Sequence, residues 1–466
     1  MGSKDSKRTG AVPAQPERRV TGQLVLLTVV LILTLCAGTI SQTALNAMFT
    51  GIATDFGVPL GLGQLVTTVY MLVLGITVPA ITYLMRRFSE KALALIAIAI
   101  LLAGGVLDLM APTFPVLVAG RVLQAVSAGI MLPMMTSVVM IEFPPSKQAT
   151  VMGVAGIALG FAPNIGPTIG GFLVMEAGWR SFFAGLTVLS LVLLLVCAAF
   201  VKPRGLNHPD AKLDLISFLL SSIGFGLLLV GTTNMSNMHP AHPLVWAPVV
   251  GGFVVLALFV RRQLVAKDPL MSMEVFKSKQ YVAGFASLCL LNASFMGITL
   301  ILPLFMEGVW GGTAFQAGLA LLPGTITALA LNPLSGIMTD KAGARPTVMA
   351  GSVCLALGAV SMVFLTEATP FWAILAMQLV RSAGVSLLMS PMTTWSMAKL
   401  PLSIMVDGSS ASSAVRQVCA SVGTALMVFA VTLGPAVGQV CAFQIAFGIS
   451  AVLAVAVLAV NAATVR

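Results

Sequence analysis

The sequence predicts an all-α integral membrane protein of fourteen transmembrane helices, arranged as two pseudo-repeated six-helix bundles with two extra helices inserted between them. Three observations predict it. The chain of 466 residues is 58% apolar and only 9% charged, where a soluble chain carries roughly 25% charged residues. Its apolar residues fall into fourteen runs, each near the about 20 residues that cross a bilayer. Its basic residues sort onto one side of those runs.

The runs lie near 22–50, 61–84, 92–110, 114–140, 150–174, 180–201, 214–233, 244–264, 281–305, 314–338, 347–365, 370–396, 409–433 and 438–460. The polar, basic segment before the first run reads as a disordered cytoplasmic tail. The run itself is too long for a signal-peptide core. With the N-terminus inside and sides alternating, all but four of the 25 Lys and Arg fall on inner segments. The four are Arg121, Arg180, Arg381 and Arg416, within or at the ends of helices. A missed helix would invert this pattern downstream, so the bias supports the count and places both termini in the cytoplasm. Orientation also accounts for the net charge of +10 without nucleic-acid binding.

The expected organisation is a tail (1–21), an N-terminal six-helix bundle (22–201), a linker with the two additional helices (202–265), a cytoplasmic interfacial segment (266–280) and a C-terminal six-helix bundle (281–466). In the interfacial segment Leu270, Met273 and Phe276 fall at helical spacing beside Lys267, Lys277 and Lys279, as in a short helix on the membrane surface. The halves echo each other. Arg121 opens a helix reaching Pro133-Met134-Met135-Thr136, and Arg381 one reaching Pro391-Met392-Thr393-Thr394. Duplicated halves around a central site are a common transporter plan.

Within the fifth run Gly153, Gly156, Gly160, Pro163, Pro167 and Gly170 are spaced 3, 4, 3, 4 and 3 apart. They form one stripe along a helix face, where another helix can approach closely and prolines permit bending. The first helix carries a polar stripe of Thr39, Gln42, Thr43, Asn46 and Thr50. With Gln124, Met131, Asn292, Phe295, Met296, Arg381, Arg416 and Gln417 it predicts a central cavity rich in Met, Phe and amides, suited to a bulky, partly apolar solute. Buried charges in membrane helices face the protein interior or water.

The segment Gly160-Phe-Ala-Pro163-Asn-Ile-Gly166-Pro167-Thr-Ile-Gly170-Gly171 resembles motif C of major facilitator superfamily drug antiporters, which marks the fifth helix of exporters. Gly120-Arg121-Val-Leu-Gln124 resembles motif B. Gly336-Ile-Met-Thr-Asp340-Lys-Ala-Gly343-Ala-Arg345-Pro346 resembles the loop motif A, here in the second half. Arg86-Arg87-Phe-Ser-Glu90-Lys91 is a degenerate first-half form. Arg416-Gln417 with Gly423-Thr424 looks like the thirteenth helix of the fourteen-helix drug:proton antiporters. The resemblance covers nearly the whole chain. It implies an exporter in a bacterial cytoplasmic membrane, moving amphipathic or hydrophobic compounds, cationic ones included, by proton antiport. Arg121 would couple the proton, and Asp340, Gly343 and Arg345 would form a cytoplasmic gating loop.

One departure stands out. Related sequences carry a Glu where this chain has Gln42, and Gln cannot titrate. Asp55, Asp108 and Glu307 are then the candidate proton carriers. Asp108 is expected to form a salt bridge with Arg121. The alternative reading is a lipid or lipid-precursor translocator of the same fold, which needs no acid in the first helix. An enzyme is not expected. The only histidines are His208, His239 and His242, no CxxC is present, and there is no GxxxxGK[ST] nucleotide loop. No metal or cofactor is implied. The expected partners are the solute, protons and membrane lipid, with a monomeric chain.

Overall fold

The computed structural model describes residues 20–45, 48–58, 65–203, 214–237, 242–266 and 269–465. The predicted tail, Asn46 and most of the 202–213 link lie outside these residues. The first half comprises α1 (Gly22–Ala44), α2 (Phe49–Phe56), α3 (Leu65–Thr77) leading through a 3₁₀ turn (Val78–Ala80) into α4 (Ile81–Arg87), α5 (Glu90–Leu109), α6 (Phe114–Glu142), α7 (Pro145–Gly160), α8 (Ala162–Ala177) and α9 (Trp179–Phe200). Two helices follow, α10 (Leu215–Asn237) and α11 (Pro243–Val265). The second half comprises α12 (Lys279–Gly308), α13 (Ala314–Ala342), α14 (Ala344–Met362), α15 (Phe371–Met397), α16 (Met405–Thr432), α17 (Gly434–Val437) and α18 (Gln439–Thr464). No strand occurs among the described residues.

Local chemistry sets the helix ends. The side chains of Thr21, Ser89 and Ser278 each accept a backbone N–H of the following first turn, which satisfies a donor the helix cannot. Thr313 and Gln316 form a reciprocal capping box at the start of α13. Gly343, with φ of 83°, lets the chain reverse directly from α13 into α14, a conformation side-chain-bearing residues avoid. Pro163 has no N–H and crowds the carbonyl one turn back, so the fifth predicted run is divided at Phe161 into α7 and α8.

Twelve helices among the described residues are long and apolar enough to cross a membrane, with Val69–Arg87 as one span. The other two of the fourteen predicted runs are the divided α7–α8 pair and α10, whose apolar stretch is Leu215–Gly231. The predicted surface helix is smaller than expected. It is a 3₁₀ helix, Met273–Lys277, with Phe276 packed edge-on to Phe285 at 5.5 Å.

The molecule is apolar outside, and its hydrophobic interior encloses several polar and charged side chains. Leu195, Phe253, Phe364 and Val452 are between 59% and 71% exposed, as lipid-facing side chains should be. Asp108, Arg121, Gln124 and Arg381 are fully buried. Each half has its own hydrophobic clusters. Two seams join the halves. Along one, α7 lies against α13 and α15. Along the other, α3 and α6 approach α16, and α10 packs on both α3 and α16. Phe225 and Leu228 of α10 share a cluster there with Tyr70, Leu74, Ala414 and Val418.

Candidate functional site

The most connected polar group in the interior is built on α6. Glycines bring α6 against α5: a Cβ on Gly104 would stand 2.7 Å from the Gly120 carbonyl oxygen, and one on Gly120 would collide with Asp108. Asp108 of α5 therefore reaches the backbone of α6. Arg121 Nη1 donates to Ser41 Oγ of α1 at 2.6 Å and to Gln124 Oε1, and its Nη2 donates to the Ser41 carbonyl at 3.2 Å. Ser41 Oγ donates to Gln124 Oε1 at 2.7 Å. Gln124 Nε2 donates to Asp108 Oδ2 at 2.6 Å. The Tyr70 ring lies 4.4 Å from the Arg121 guanidinium carbon, a cation–π contact, and the Tyr70 hydroxyl donates to the Gly38 carbonyl at 2.9 Å.

This arrangement corrects the expected Asp108–Arg121 salt bridge. Gln124, one turn along from Arg121, stands between acid and base and bonds both. Asp108 Oδ1 and Arg121 Nε have no hydrogen-bond partner. Sequence reasoning missed Ser41 and Tyr70. Ser41 sits beside the expected Gln42, one position off the polar stripe. Gln42 is half-buried and outside this network.

The other predicted residues are dispersed. Asp55 is half exposed, accepting from Trp179 Nε1 at 2.7 Å and Arg180 Nη1 at 3.2 Å. Glu307 is exposed. Met131 packs in the first-half core. Asn292 Nδ2 donates to Leu288 O of its own helix at 2.8 Å. Phe295 packs in a second-half core, with Met296 against it. Arg416 is buried and its Nε donates to the Ser412 carbonyl at 3.2 Å. Gln417 is half-buried beside it. Arg381 is fully buried; its Nε donates to Gln378 Oε1 at 3.0 Å, and its Nη1 and Nη2 have no partner.

The small-residue stripe serves two neighbours, one on each side of the Phe161 break. Gly153, Gly156 and Gly160 of α7 face α13 of the other half. A Cβ on Gly156 or Gly160 would stand 3.1 or 3.0 Å from the Asn332 side chain, and Asn332 Nδ2 donates to the Gly156 carbonyl at 2.8 Å. Gly166 and Gly170 of α8 instead face α1 of the same half, with Ala44 N 3.1 Å from a Cβ on Gly166. Pro163 is buried at the break. The Pro167 side chain lies outside what the structure describes.

The end of the molecule bearing Arg86, Lys91 and Asp340 is closed by polar contacts between the halves. Asp340 Oδ1 and Oδ2 accept the backbone N–H groups of Ala149 and Thr150 at 3.1 and 2.7 Å, near the N-terminus of α7, where helix dipoles favour an anion. Ser390 Oγ donates to the Ala149 carbonyl at 2.8 Å. Arg86 Nη2 reaches Asp407 at 3.2 Å. Thr82 donates to Ser410 at 3.1 Å, and Ser137 meets Ser409. Arg345 is exposed, and Gly343 serves the turn. Asp407, an acid two residues before the thirteenth run, is a further candidate legible in the sequence.

A third feature is an apolar cleft of about 430 Å³ between α10, α11, α12 and α16. Phe225, Phe253, Met273, Phe276, Cys289 and Cys419 are among its walls. None of the described residues forms a cluster of three or more His, Cys, Asp or Glu able to hold a metal ion.

Residues 30–424 match the Major Facilitator Superfamily. The chain is 34% identical over 402 residues to the Bacillus subtilis protein named uncharacterized MFS-type transporter YhcA, covering 86% of this chain and 75% of that one. It is 32% identical to the lincomycin resistance protein LmrB of Listeria monocytogenes, covering 85% and 84%. It is 26% identical to the multidrug export protein EmrB of Haemophilus influenzae, covering 88% and 80%. Among solved structures, the proton:xylose symporter XylE superposes with a TM-score of 0.65 at 14% identity, over 93% of this chain and 94% of that one. The human organic anion transporter MFSD10 superposes with a TM-score of 0.65 at 13% identity, over 94% and 100%. These two likenesses concern the fold alone. The family match and the relatives agree, and the chain belongs to the Major Facilitator Superfamily, a family of membrane transporters and not of enzymes.

Proposed function

We propose that the chain is a fourteen-helix secondary transporter that exports amphipathic and hydrophobic compounds across a bacterial cytoplasmic membrane, by alternating access coupled to proton antiport. In this reading α7–α8 and α10 are the remaining two spans. Supporting this, the backbone bonds Phe161 N to Ile157 O and Ile165 N to Phe161 O carry helical hydrogen bonding across the break. The end bearing Arg86 and Asp340 is cytoplasmic, by the basic bias, and both termini lie on that side. The halves are the expected 22–201 and 281–466 units, working as a monomer.

The observation that carries the reading is the α7 seam. Gly153, Gly156 and Gly160 let the two halves meet through a helix face almost without side chains. Such a face can slide or part with little repacking. Polar contacts of Asp340 and Arg86 close the cytoplasmic end, so the present arrangement is closed inward. Opening inward must exchange these contacts for water.

Coupling is assigned to Asp108. Of the three candidate acids it alone is fully buried, and it is joined to Arg121 through Gln124. Protonating Asp108 removes the negative charge opposite the guanidinium and weakens the bond from Gln124. Arg121 is then free to change partners as the halves rock. Gln42 is not needed as a proton carrier in this scheme.

The test is pH-gradient-driven ethidium flux in proteoliposomes. The wild type should extrude the dye; Asp108→Asn should abolish gradient dependence, while Asp55→Asn and Glu307→Gln retain it. Unchanged pH dependence in Asp108→Asn would overturn the coupling assignment. One observation favours the lipid-translocator reading: the apolar cleft beside α10 and α11 suits acyl chains. Translocation of a fluorescent phospholipid without movement of any dye in the same liposomes would favour it.

A further inference from the structure

The second half contains a buried cation with no ionic partner among the described residues, and its surroundings say what kind of group it awaits. Arg381 lies about 15 Å along α15 from Phe371, at 1.5 Å per residue, so it is deep within a helix long enough to span. It is fully buried, and both terminal nitrogens lack a hydrogen-bond partner. No ion pair among the described residues includes it. Its guanidinium carbon lies 6.0 Å from the centre of the Phe295 ring. Phe295, Ser382, Ser386 and Asn332 are among the walls of a narrow cavity between the halves, to which Gly160 of α7 also contributes. Ser382 Oγ is buried there without a partner as well.

A buried charge is retained where it is paired or hydrogen-bonded, and an arginine held in a membrane interior marks a solute pathway by default. Among the described residues no Glu or Asp pairs with Arg381, so these residues leave the two Nη groups open to a partner from outside them. The two free Nη donors present the planar fork that matches a carboxylate or phosphate in bidentate fashion. Ser382 Oγ, on the next residue, is a further buried donor without a partner and lies on the cavity wall. The cavity wall is shared by α7 and by α12, α13 and α15, so parting the α7 seam widens it.

The geometry points to Arg381, with Ser382, as the recognition site for the acidic headgroup, carboxylate or phosphate, of an amphipathic solute. This rests on the export reading above and narrows it: the exported amphipathic compounds include anions, beside the cationic ones the sequence reading already included. Phe295 takes the adjoining apolar part. The site is offered to the solute when the seam between α7 and α13 parts.

Matched probes test it. Proteoliposomes of zwitterionic lipid receive dansyl-undecanoic acid or its uncharged amide. Separate liposomes carry fluorescent phosphatidylglycerol or phosphatidylcholine. Arg381→Gln should lower the ratio of acid to amide flux, or of glycerol to choline lipid movement, at least tenfold, and Arg381→Lys should restore part of it. A loss confined to the fatty acid makes the headgroup that of a free solute; a loss confined to phosphatidylglycerol makes it that of a lipid. Equal losses for charged and uncharged probes, or no change, overturn the site. A second readout is the melting temperature in nanodiscs, which the acid but not the amide should raise in wild type and not in Arg381→Gln. If that rise is present and depends on Arg381 while no probe or ethidium is transported, the export reading falls and the anion site stands. If ethidium is exported and neither anion responds to Arg381, the site falls and export stands.

Discussion

Arg121 and Arg381 occupy corresponding helices of the two halves, each with a glutamine one turn away and a glycine on the adjacent helix. A Cβ on Gly358 would stand 2.5 Å from the Arg381 Cα, much as Gly120 and Gly104 admit α5 to α6. Their surroundings differ. Around Arg121, Gln124 links to Asp108, Ser41 lends two oxygens, and Tyr70 covers the guanidinium. Around Arg381, Gln378 supplies one bond and no carboxylate follows. The same charge in the same scaffold is thus internally matched in one half and unmatched in the other. A matched charge can store a protonation state. An unmatched one is open to a visitor.

The largest expected effect tests that contrast directly. Arg121→Gln leaves Asp108 buried beside no cation, so it should lose about 3–5 kcal/mol, the scale for breaking a buried pair. Adding Asp108→Asn should recover most of the loss. Arg381→Gln removes a charge that no acid among the described residues balances and should leave stability at or above wild type. Unfolding of the four proteins in one detergent measures this. Equal destabilisation by both arginine changes would break the comparison.

The glutamines should follow the same order with smaller steps. Gln124→Leu strips partners from both Asp108 and Arg121 and should cost about 3 kcal/mol; Gln378→Leu removes one bond and should cost about 1 kcal/mol. The same unfolding assay separates them. At the seam, Gly156→Val inserts atoms against Asn332 and should cost about 1–3 kcal/mol, with a larger loss of flux than of folded protein. Measuring flux per folded transporter would show whether both arginines depend on one moving seam.

The smallest effect lies far from either arginine. Asp214 accepts from Arg262 Nε at 3.0 Å and Nη2 at 2.9 Å, and that hydrogen-bonded partner, with Ser217, holds its carboxyl down at about 2. A depressed acid stabilises above its unfolded value and loses that contribution as pH falls toward its folded one. The pair is partly exposed, so Asp214→Asn should cost under about 1 kcal/mol at neutral pH. It should cost progressively less below about pH 4, read by thermal unfolding across pH. This serves as the control for an ordinary surface pair.

The difference between the arginines was not legible in the sequence. Both lie within predicted membrane runs, each with a glutamine three positions away in the sequence. Asp108 was identified because an acid stands out in an apolar run, and Gln124 because it falls one turn from Arg121. Their order of contact was not, since three helices must converge before an amide can stand between two charges. Ser41 and Tyr70 were missed for the same reason: a serine or tyrosine in a membrane helix carries no signal until its neighbour is known. The stripe over 153–170 is legible as glycine and proline spacing and is expected to form one continuous face, which the structure divides at Phe161. That its two ends face different halves depends on the Phe161 break and on what packs there.

What the sequence by itself determined is the class of the molecule: a polytopic membrane protein, the boundaries of most of its spans, and the family its motifs resemble. Hydropathy, charge bias and glycine spacing are properties of consecutive residues, and they survive without knowledge of the partner helix. What only the tertiary structure decided is which charges are balanced. Burial makes charge balance decisive, and balance depends on side chains brought together from α1, α3, α5 and α6 in one half, and on the absence, among the described residues, of any such acid paired with Arg381 of α15 in the other.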